Sequence, residues 1–309
     1  MAIIPRYLSR TLALTVCAVF FVHCTKSPFK GNESEIPVEF SGIDIETKAD
    51  PEQSGFVAGS AIAVSAYHVP NGSAIMFNQK VSYDGTLWTY SPTAYWPAGE
   101  GTSADFFAYY PHNESNAVTG VKLANDLLSG EPTFTFTMEE SAKADLMVAV
   151  RRGHTHEDGP VPLVFRHLVG KVQFRFSVSD EGGFSYIVNK MDLPGARKEA
   201  TYAWATDKFE VIQGKTIDIR VGDDTKEYLV NTTDPVLIED FTMYLLPGKM
   251  ESVTIGINSE APQTIDLSEL TIESGKSITL TFSIGLTGIK FSTSVTDWTD
   301  GGSANGNIS

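Results

Sequence analysis

The sequence predicts an all-β protein built of antiparallel β-sandwiches, and three observations carry that prediction. Apolar residues recur at every second position in segment after segment, Gly, Pro, Asn and Asp punctuate the segments, and only two short stretches could hold a helix. Strands joined by turns pair as antiparallel neighbours and bury one face, so they stack as sandwiches.

The chain starts with Arg6 and Arg10, then an uncharged run from Leu12 to Val22 that stops at His23-Cys24-Thr25. A membrane-spanning helix needs about 20 apolar residues. This run is shorter, and a basic head, an apolar middle and a prompt end make a signal peptide. Residues 1–23 are therefore expected to leave the mature chain, with Cys24 its first residue and the point of lipidation. Phe21-Val22-His23 lacks the small residue usual before a lipidated cysteine, but Cys17 fits less well. Several acyl chains on one residue anchor a protein stably where a single chain does not. Residues 24–35 are polar and rich in turn formers, as a tether would be.

Ordered structure is expected from Ile36. Ile36, Val38 and Phe40 alternate, and after Ser41-Gly42 the phase shifts to Ile43 and Ile45, which reads as one strand with a bulge. Alternation returns at Ile62-Val64-Ala66, Phe134-Phe136-Met138, Leu146-Val148-Val150 and Val172-Phe174-Phe176. It continues at Ile217-Ile219-Val221, Val253-Ile255-Ile257, Ile278-Leu280-Phe282-Ile284 and Ile289-Phe291. Turns are marked by Pro70-Asn71-Gly72, Asp84-Gly85, Glu181-Gly182-Gly183, Asp223-Asp224 and Pro247-Gly248. Val121–Leu128 and Glu139–Lys143 could form a helical turn or two. Loop composition from Arg152 to Pro160, followed by strong alternation from Lys171, divides the chain into an N-terminal domain, 36–166, and a C-terminal domain, 167–309.

The chain of 309 residues has 38 acidic against 23 basic side chains, and the excess grows once Arg6 and Arg10 leave with the signal. That balance argues against nucleic acid, whose phosphates demand clustered Lys and Arg. Cys24 is the one cysteine left after the signal, so no internal disulfide can form and the strands must hold by packing.

No catalytic site, metal site or cofactor is assigned. His154-x-His156 with Glu157-Asp158 offers metal-ligand atom types but sits in loop composition without a distant third ligand. Gly214-Lys215-Thr216 and Gly275-Lys276-Ser277 look like ends of phosphate loops, but Phe209 and Leu270 stand where the first glycine should be. The nucleophile elbow Gly-x-Ser-x-Gly does not occur. Glu139-Glu140, Glu157-Asp158 and Glu239-Asp240 are read as solvated charge. The aromatic run Tyr83, Trp88, Tyr90, Tyr95, Trp96, Phe106, Phe107, Tyr109 and Tyr110 is read as core packing, with stacking on sugar rings as the rival.

Several segments, in order, resemble the fimbrillin-like proteins of Bacteroides-type bacteria. They are Val38-Glu39-Phe40-Ser41 leading to Glu46-Thr47-Lys48-Ala49-Asp50, the Phe-x-x-Gly-x-x-Ile-x-Val run from Phe56 to Val64, and Tyr95-Trp96-Pro97 before Asp105-Phe106-Phe107-Ala108-Tyr109-Tyr110-Pro111. Phe165-Arg166-His167-Leu168-Val169-Gly170-Lys171-Val172 and the stretch from Ile289-Lys290-Phe291 to Asp297-Trp298 complete the set. The resemblance implies two tandem transthyretin-like sandwiches and a structural or adhesive subunit of a fimbrium or pilus, an outer-membrane lipoprotein at the cell surface. Its partners would be other fimbrial subunits, self or paralogous, the membrane through the lipid, and surface glycans.

It also implies assembly by donor-strand addition. A protease removes the first strand, here the segment carrying Ile36, Val38, Phe40, Ile43 and Ile45, and a neighbour's strand fills the groove; the donor could come from Ile289 to Val295. Relatives with stalk roles resemble substrates of an arginine-directed protease, yet no arginine lies between Arg10 and Arg151, so Lys48 is the candidate processing residue. The acidic run that follows the cysteine in surface-exported relatives is missing too, since Lys26 and Lys30 come first. An uncut chain would be an anchor, a tip-associated protein or a lipoprotein that never polymerises. Two other readings remain, a carbohydrate-binding surface lipoprotein and a glycosidase, the latter needing two carboxylates converging in a cleft.

Overall fold

The computed structural model describes residues 35–46, 55–69, 71–99, 101–112, 118–119, 132–179, 183–204, 206–222, 225–258, 261–286 and 288–298. Cys24, Lys48, the signal, the tether up to residue 34 and the Val121–Leu128 stretch lie outside them. The described chain is all-β, with strands numbered here in chain order.

A seven-stranded sheet runs in the order β1 (Phe40–Ile45), β9 (Val161–His167), β8 (Met147–His154), β5 (Ser103–Tyr110), β2 (Ala61–Val69), β3 (Ala74–Tyr83), β4 (Trp88–Thr89). A four-stranded sheet has the order β13 (Lys208–Val211), β12 (Glu199–Ala203), β7 (Thr133–Thr137), β6 (Val118–Thr119). The remaining strands include two five-stranded sheets. One holds β16 (Val236–Leu237), β10 (Gly170–Val178), β22 (Lys276–Gly285) and β23 (Gly288–Asp297), with β17 (Met243–Leu245) also on β10. The other holds β14 (Thr216–Gly222), β11 (Tyr186–Arg197), β19 (Ser252–Ile257) and β20 (Gln263–Asp266), with β15 (Tyr228–Val230) also on β11. A small ribbon joins β18 (Gly248–Lys249) to β21 (Thr271–Ile272).

Local chemistry explains the turns. Asp84 accepts the backbone N–H groups of Thr86 and Leu87, each at 2.7 Å, which holds its carboxyl below the usual range, and Gly85 follows at φ +103°. The β3–β4 hairpin therefore closes where Asp84-Gly85 predicts it. Glu139 to Lys143 forms a turn without a helix, with Ala142 at φ +48°.

Two pairings depart from the antiparallel expectation: β1 runs parallel to β9, and β10 runs parallel to β22. Several strands intervene in each case, and turn composition carries no information about partners so distant in sequence. The expectation of one buried face per strand also needs amendment. Ile62 to Tyr67 of β2 and Phe106 to Tyr109 of β5 are buried throughout. Ile62, Val64 and Phe106 face one core with β1 and β9, while Ala63, Tyr67, Phe107 and Tyr109 face Phe134 and Phe136 of β7 in a second, larger core. A strand covered on both sides reads as a continuous apolar run.

The stretch from Arg152 to Pro160 is the hairpin between β8 and β9 of one sheet, and the chain changes sheets at Leu168-Val169, between β9 and β10. Spatial grouping does not follow sequence order strictly, because the β12–β13 hairpin, C-terminal to residue 167, pairs with β7. Arg166 of β9 fastens that hairpin, bonding to the Tyr202 hydroxyl at 3.2 Å and to Asp207, whose carboxylate accepts the Tyr202 O–H at 2.6 Å.

Candidate functional site: the seam closed by the first strand

The bulge expected at Ser41-Gly42 is present. In β1 the register to β9 pairs Phe40 with Val161, then shifts to pair Ile43 with Leu163, Asp44 with Val164 and Ile45 with Phe165. Gly42, at φ +60°, supplies the left-handed residue the shift needs. Val38, Phe40, Ile43 and Ile45 all lie below 8% exposure, and Glu39 is exposed. Ile36, which the alternation would also bury, is 40% exposed.

That leading end is bonded to a second wall. Val38 N–H donates to the Ala94 carbonyl at 2.9 Å, Trp96 N–H donates to the Ile36 carbonyl at 2.9 Å, and Pro37 bridges Tyr95. The Tyr90 hydroxyl donates to the Val38 carbonyl at 2.6 Å, and burial raises its pKa, keeping it a donor. On the other side Val161 N–H reaches the Glu39 carbonyl at 2.8 Å and Glu46 N–H reaches the Phe165 carbonyl at 2.6 Å. Segment 36–46 thus fills a slot between β9 and residues 94–96, with hydrogen-bonding groups on both flanks. The sequence reads Tyr90, Tyr95 and Trp96 as packing residues but does not pair them with the first strand, since nothing in their local pattern signals a partner more than 50 residues upstream.

Aromatic side chains line the slot. Phe40 meets Tyr90 and Phe106 edge to face, with centroids 5.7 and 6.2 Å apart, and Phe56 packs on Trp88, Tyr110 and Phe165 at 5.3 to 5.5 Å. Tyr83, Trp88, Tyr90 and Trp96 are half-buried against this core, as core packing predicts, whereas Tyr95 is 44% exposed. The slot chemistry is suited to an extended segment with alternate apolar side chains and free backbone groups.

The C-terminal strand β23 presents the opposite character. It is the end strand of its sheet, bonded to β22, with Ile289, Phe291 and Val295 opposite Ile284, Phe282 and Ile278. Those three share the side of the sheet that carries Ile284, Phe282 and Ile278, yet Phe291 is 42% and Val295 49% exposed. Its far end is fixed: Trp298 is buried and stacks on His167 at 3.6 Å, and His167 Nδ1 lies 2.8 Å from an Asp145 carboxylate oxygen.

The other motifs resolve as follows. His154 is buried against Trp96 and Phe106 with Nε2 3.1 Å from the Gly159 carbonyl, and His156 lies in the 3₁₀ turn His156–Asp158. Among the described residues no group of three or more His, Cys, Asp or Glu could hold a metal. Gly214 and Gly275 have φ +74° and +68° and lead into β14 and β22, so neither precedes a helix. Glu139, Glu140, Glu157, Asp158, Glu239 and Asp240 are exposed; Asp240 accepts bonds from Lys226 at 3.0 Å and Tyr228 at 2.5 Å.

The fold and the seam define a β-sandwich protein whose first strand completes a sheet that is open without it. The family model for fimbrillin-like proteins matches residues 47–298, and the chain belongs to that family. Among solved structures it is similar to a protein of Bacteroides uniformis assigned to cell adhesion, at TM-score 0.61 and 19% identity, covering 87% of this chain and 100% of that one. It is also similar to a fimbrial protein of Bacteroides vulgatus, at TM-score 0.54 and 17% identity, covering 85% of this chain and 99% of that one. At such identities the likeness is one of fold. No curated protein sequence matches the chain.

Proposed function

We propose that the protein is a structural or adhesive subunit of a fimbrium, made as a lipoprotein anchored through Cys24 in the outer membrane and assembled by donor-strand addition after loss of segment 36–46. The observation that carries this reading is the slot itself: one short segment at the start of the fold fills it with four buried apolar side chains and is bonded on both flanks. Taking it away leaves unpaired N–H and C=O groups beside empty apolar pockets, a state that favours capture of another strand. Division into domains 36–166 and 167–309, the latter lending the β12–β13 hairpin to β7, belongs to the same proposal.

N-terminal sequencing of the protein from isolated outer membranes and from sheared fimbriae tests it. Assembled protein should begin at Ala49, and membrane-bound precursor at a blocked Cys24. Assembled protein that still carries Val38 and Phe40 would contradict strand removal. Cys24→Ala should move the precursor from the membrane fraction to the soluble fraction; a variant expressed equally that still pellets and resists high salt would contradict lipid anchoring.

A further inference from the structure

We infer that a cleft beside the end of β11 binds the carboxylate of an acidic sugar between Arg197 and Lys249, with Glu251 accepting a hydroxyl of the ring. The site shares no residue with the slot and stands or falls independently of strand addition. Its origin lies in β11 itself. Pro194 has no N–H to give, Gly195 has φ +69°, and the register to β14 shifts between Leu193 and Ala196. On the other flank the ladder to β19 ends at Asp192 and Thr254, and beyond it 193–197 and 245–250 line a small cleft floored by the buried Leu193, Leu246 and Met250.

Continuing the β11–β19 register past that point sets Gly195 opposite Glu251 and Arg197 opposite Lys249. Side-chain positions agree: a Cβ on Gly195 would lie 3.1 Å from a Glu251 carboxylate oxygen, and one on Gly248 would lie 3.1 Å from Cγ of Arg197. Two cations thus face each other across the cleft, which destabilises the pairing until an anion joins them. Among the described residues no anion of the chain does so: neither Arg197 nor Lys249 takes part in an ion pair or a side-chain hydrogen bond. Arg151, Arg152, Arg166, Arg175 and Arg220, by contrast, each donate to a ring nitrogen, a carboxylate, a hydroxyl or a carbonyl. In a chain with 38 acidic side chains against 23 basic ones, an uncompensated pair of cations over a dry floor marks a place for a ligand.

Charge and reach choose the ligand class. The Arg197 guanidinium is a planar fork that matches two carboxylate oxygens, and Lys249 adds a second point of charge. Glu251, exposed and two places along the strand pair, stands about 7 Å away, where it repels a second negative charge and accepts a hydroxyl. Phosphate and dicarboxylates are disfavoured by that repulsion. A single carboxylate with hydroxyls at this distance describes a uronic acid, whose carboxylate enters the cleft while its ring stays at the mouth.

Thermal melts of the uncut full chain with sodium glucuronate, sodium acetate or glucose, at matched ionic strength, test the site. Glucuronate at about ten times its Kd should raise the melt by about 3 °C, and acetate or glucose at the same concentration by less than about 1 °C. Arg197→Gln and Lys249→Gln should each abolish the response. Lys249→Glu supplies the missing carboxylate from within the chain, so it should raise the melt without sugar and leave glucuronate nothing to add. Lys249 is exposed, so its variants report binding and not folding. No shift with glucuronate, or a shift that survives Arg197→Gln, overturns the site. An equal shift with acetate overturns the sugar as its ligand. So does salt-sensitive self-association of the purified chain that Arg197→Gln removes, which assigns the cleft to a carboxylate of a second copy.

Discussion

Phe40→Ala in the uncut chain is expected to lower unfolding free energy by about 3–5 kcal/mol, the usual cost of removing a buried aromatic ring. Phe40 is 7% exposed and meets Tyr90 and Phe106 edge to face, so its loss leaves a cavity whose walls are rings and sheet backbone with little freedom to collapse. The same variant weakens the grip of segment 36–46 on the slot and should assemble without any cut. Urea unfolding followed by tryptophan fluorescence gives the stability, and light scattering gives the assembly. Ile36→Ala is the internal comparison: Ile36 is 40% exposed and should cost well under half as much.

Gly222→Ala is expected to cost about 2–5 kcal/mol from two additive sources. Gly222 has φ +90°, where an L residue costs about 1–2 kcal/mol. A Cβ there would lie 2.5 Å from the Asn189 carbonyl oxygen and 2.7 Å from the Phe241 ring, and overpacking of this kind costs about 1–3 kcal/mol more. The carbonyl belongs to β11, so it cannot step aside as a flexible side chain would. Gly72→Ala, at φ +71° with open space around it, carries the backbone cost alone and should lose about 1–2 kcal/mol. Thermal melts of the two variants side by side check the difference.

These two positions also show what the sequence discloses. The bulge at Gly42 is legible because alternation changes phase there, and buried Val38, Phe40, Ile43 and Ile45 follow from that phase. Gly222 is legible as a turn before Asp223-Asp224, but its contact with β11 is not, since a close approach between distant strands leaves no mark on the glycine's own neighbours. Parallel pairing of β1 with β9 and the bonds from 94–96 to the leading end escape for the same reason: period and punctuation describe one strand, and register across the fold is set by packing. The exposure of Ile36 is a third case, an alternation that continues past the point where the core stops.

The central claim is that segment 36–46 is a removable filler of a strand-accepting slot, and loss of that segment tests it most directly. Burial of Val38, Phe40, Ile43 and Ile45 contributes about 6–12 kcal/mol before entropy is counted, at about 1.5–3 kcal/mol each. Stability of a whole domain is about 5–15 kcal/mol. Full-chain protein cut after Lys48 and stripped of the segment should therefore melt more than about 10 °C lower or assemble through its open slot, and a synthetic peptide of residues 36–46 should restore the melt and suppress assembly. Cut protein that has lost the segment yet stays monomeric and melts at the temperature of the intact chain would contradict the account.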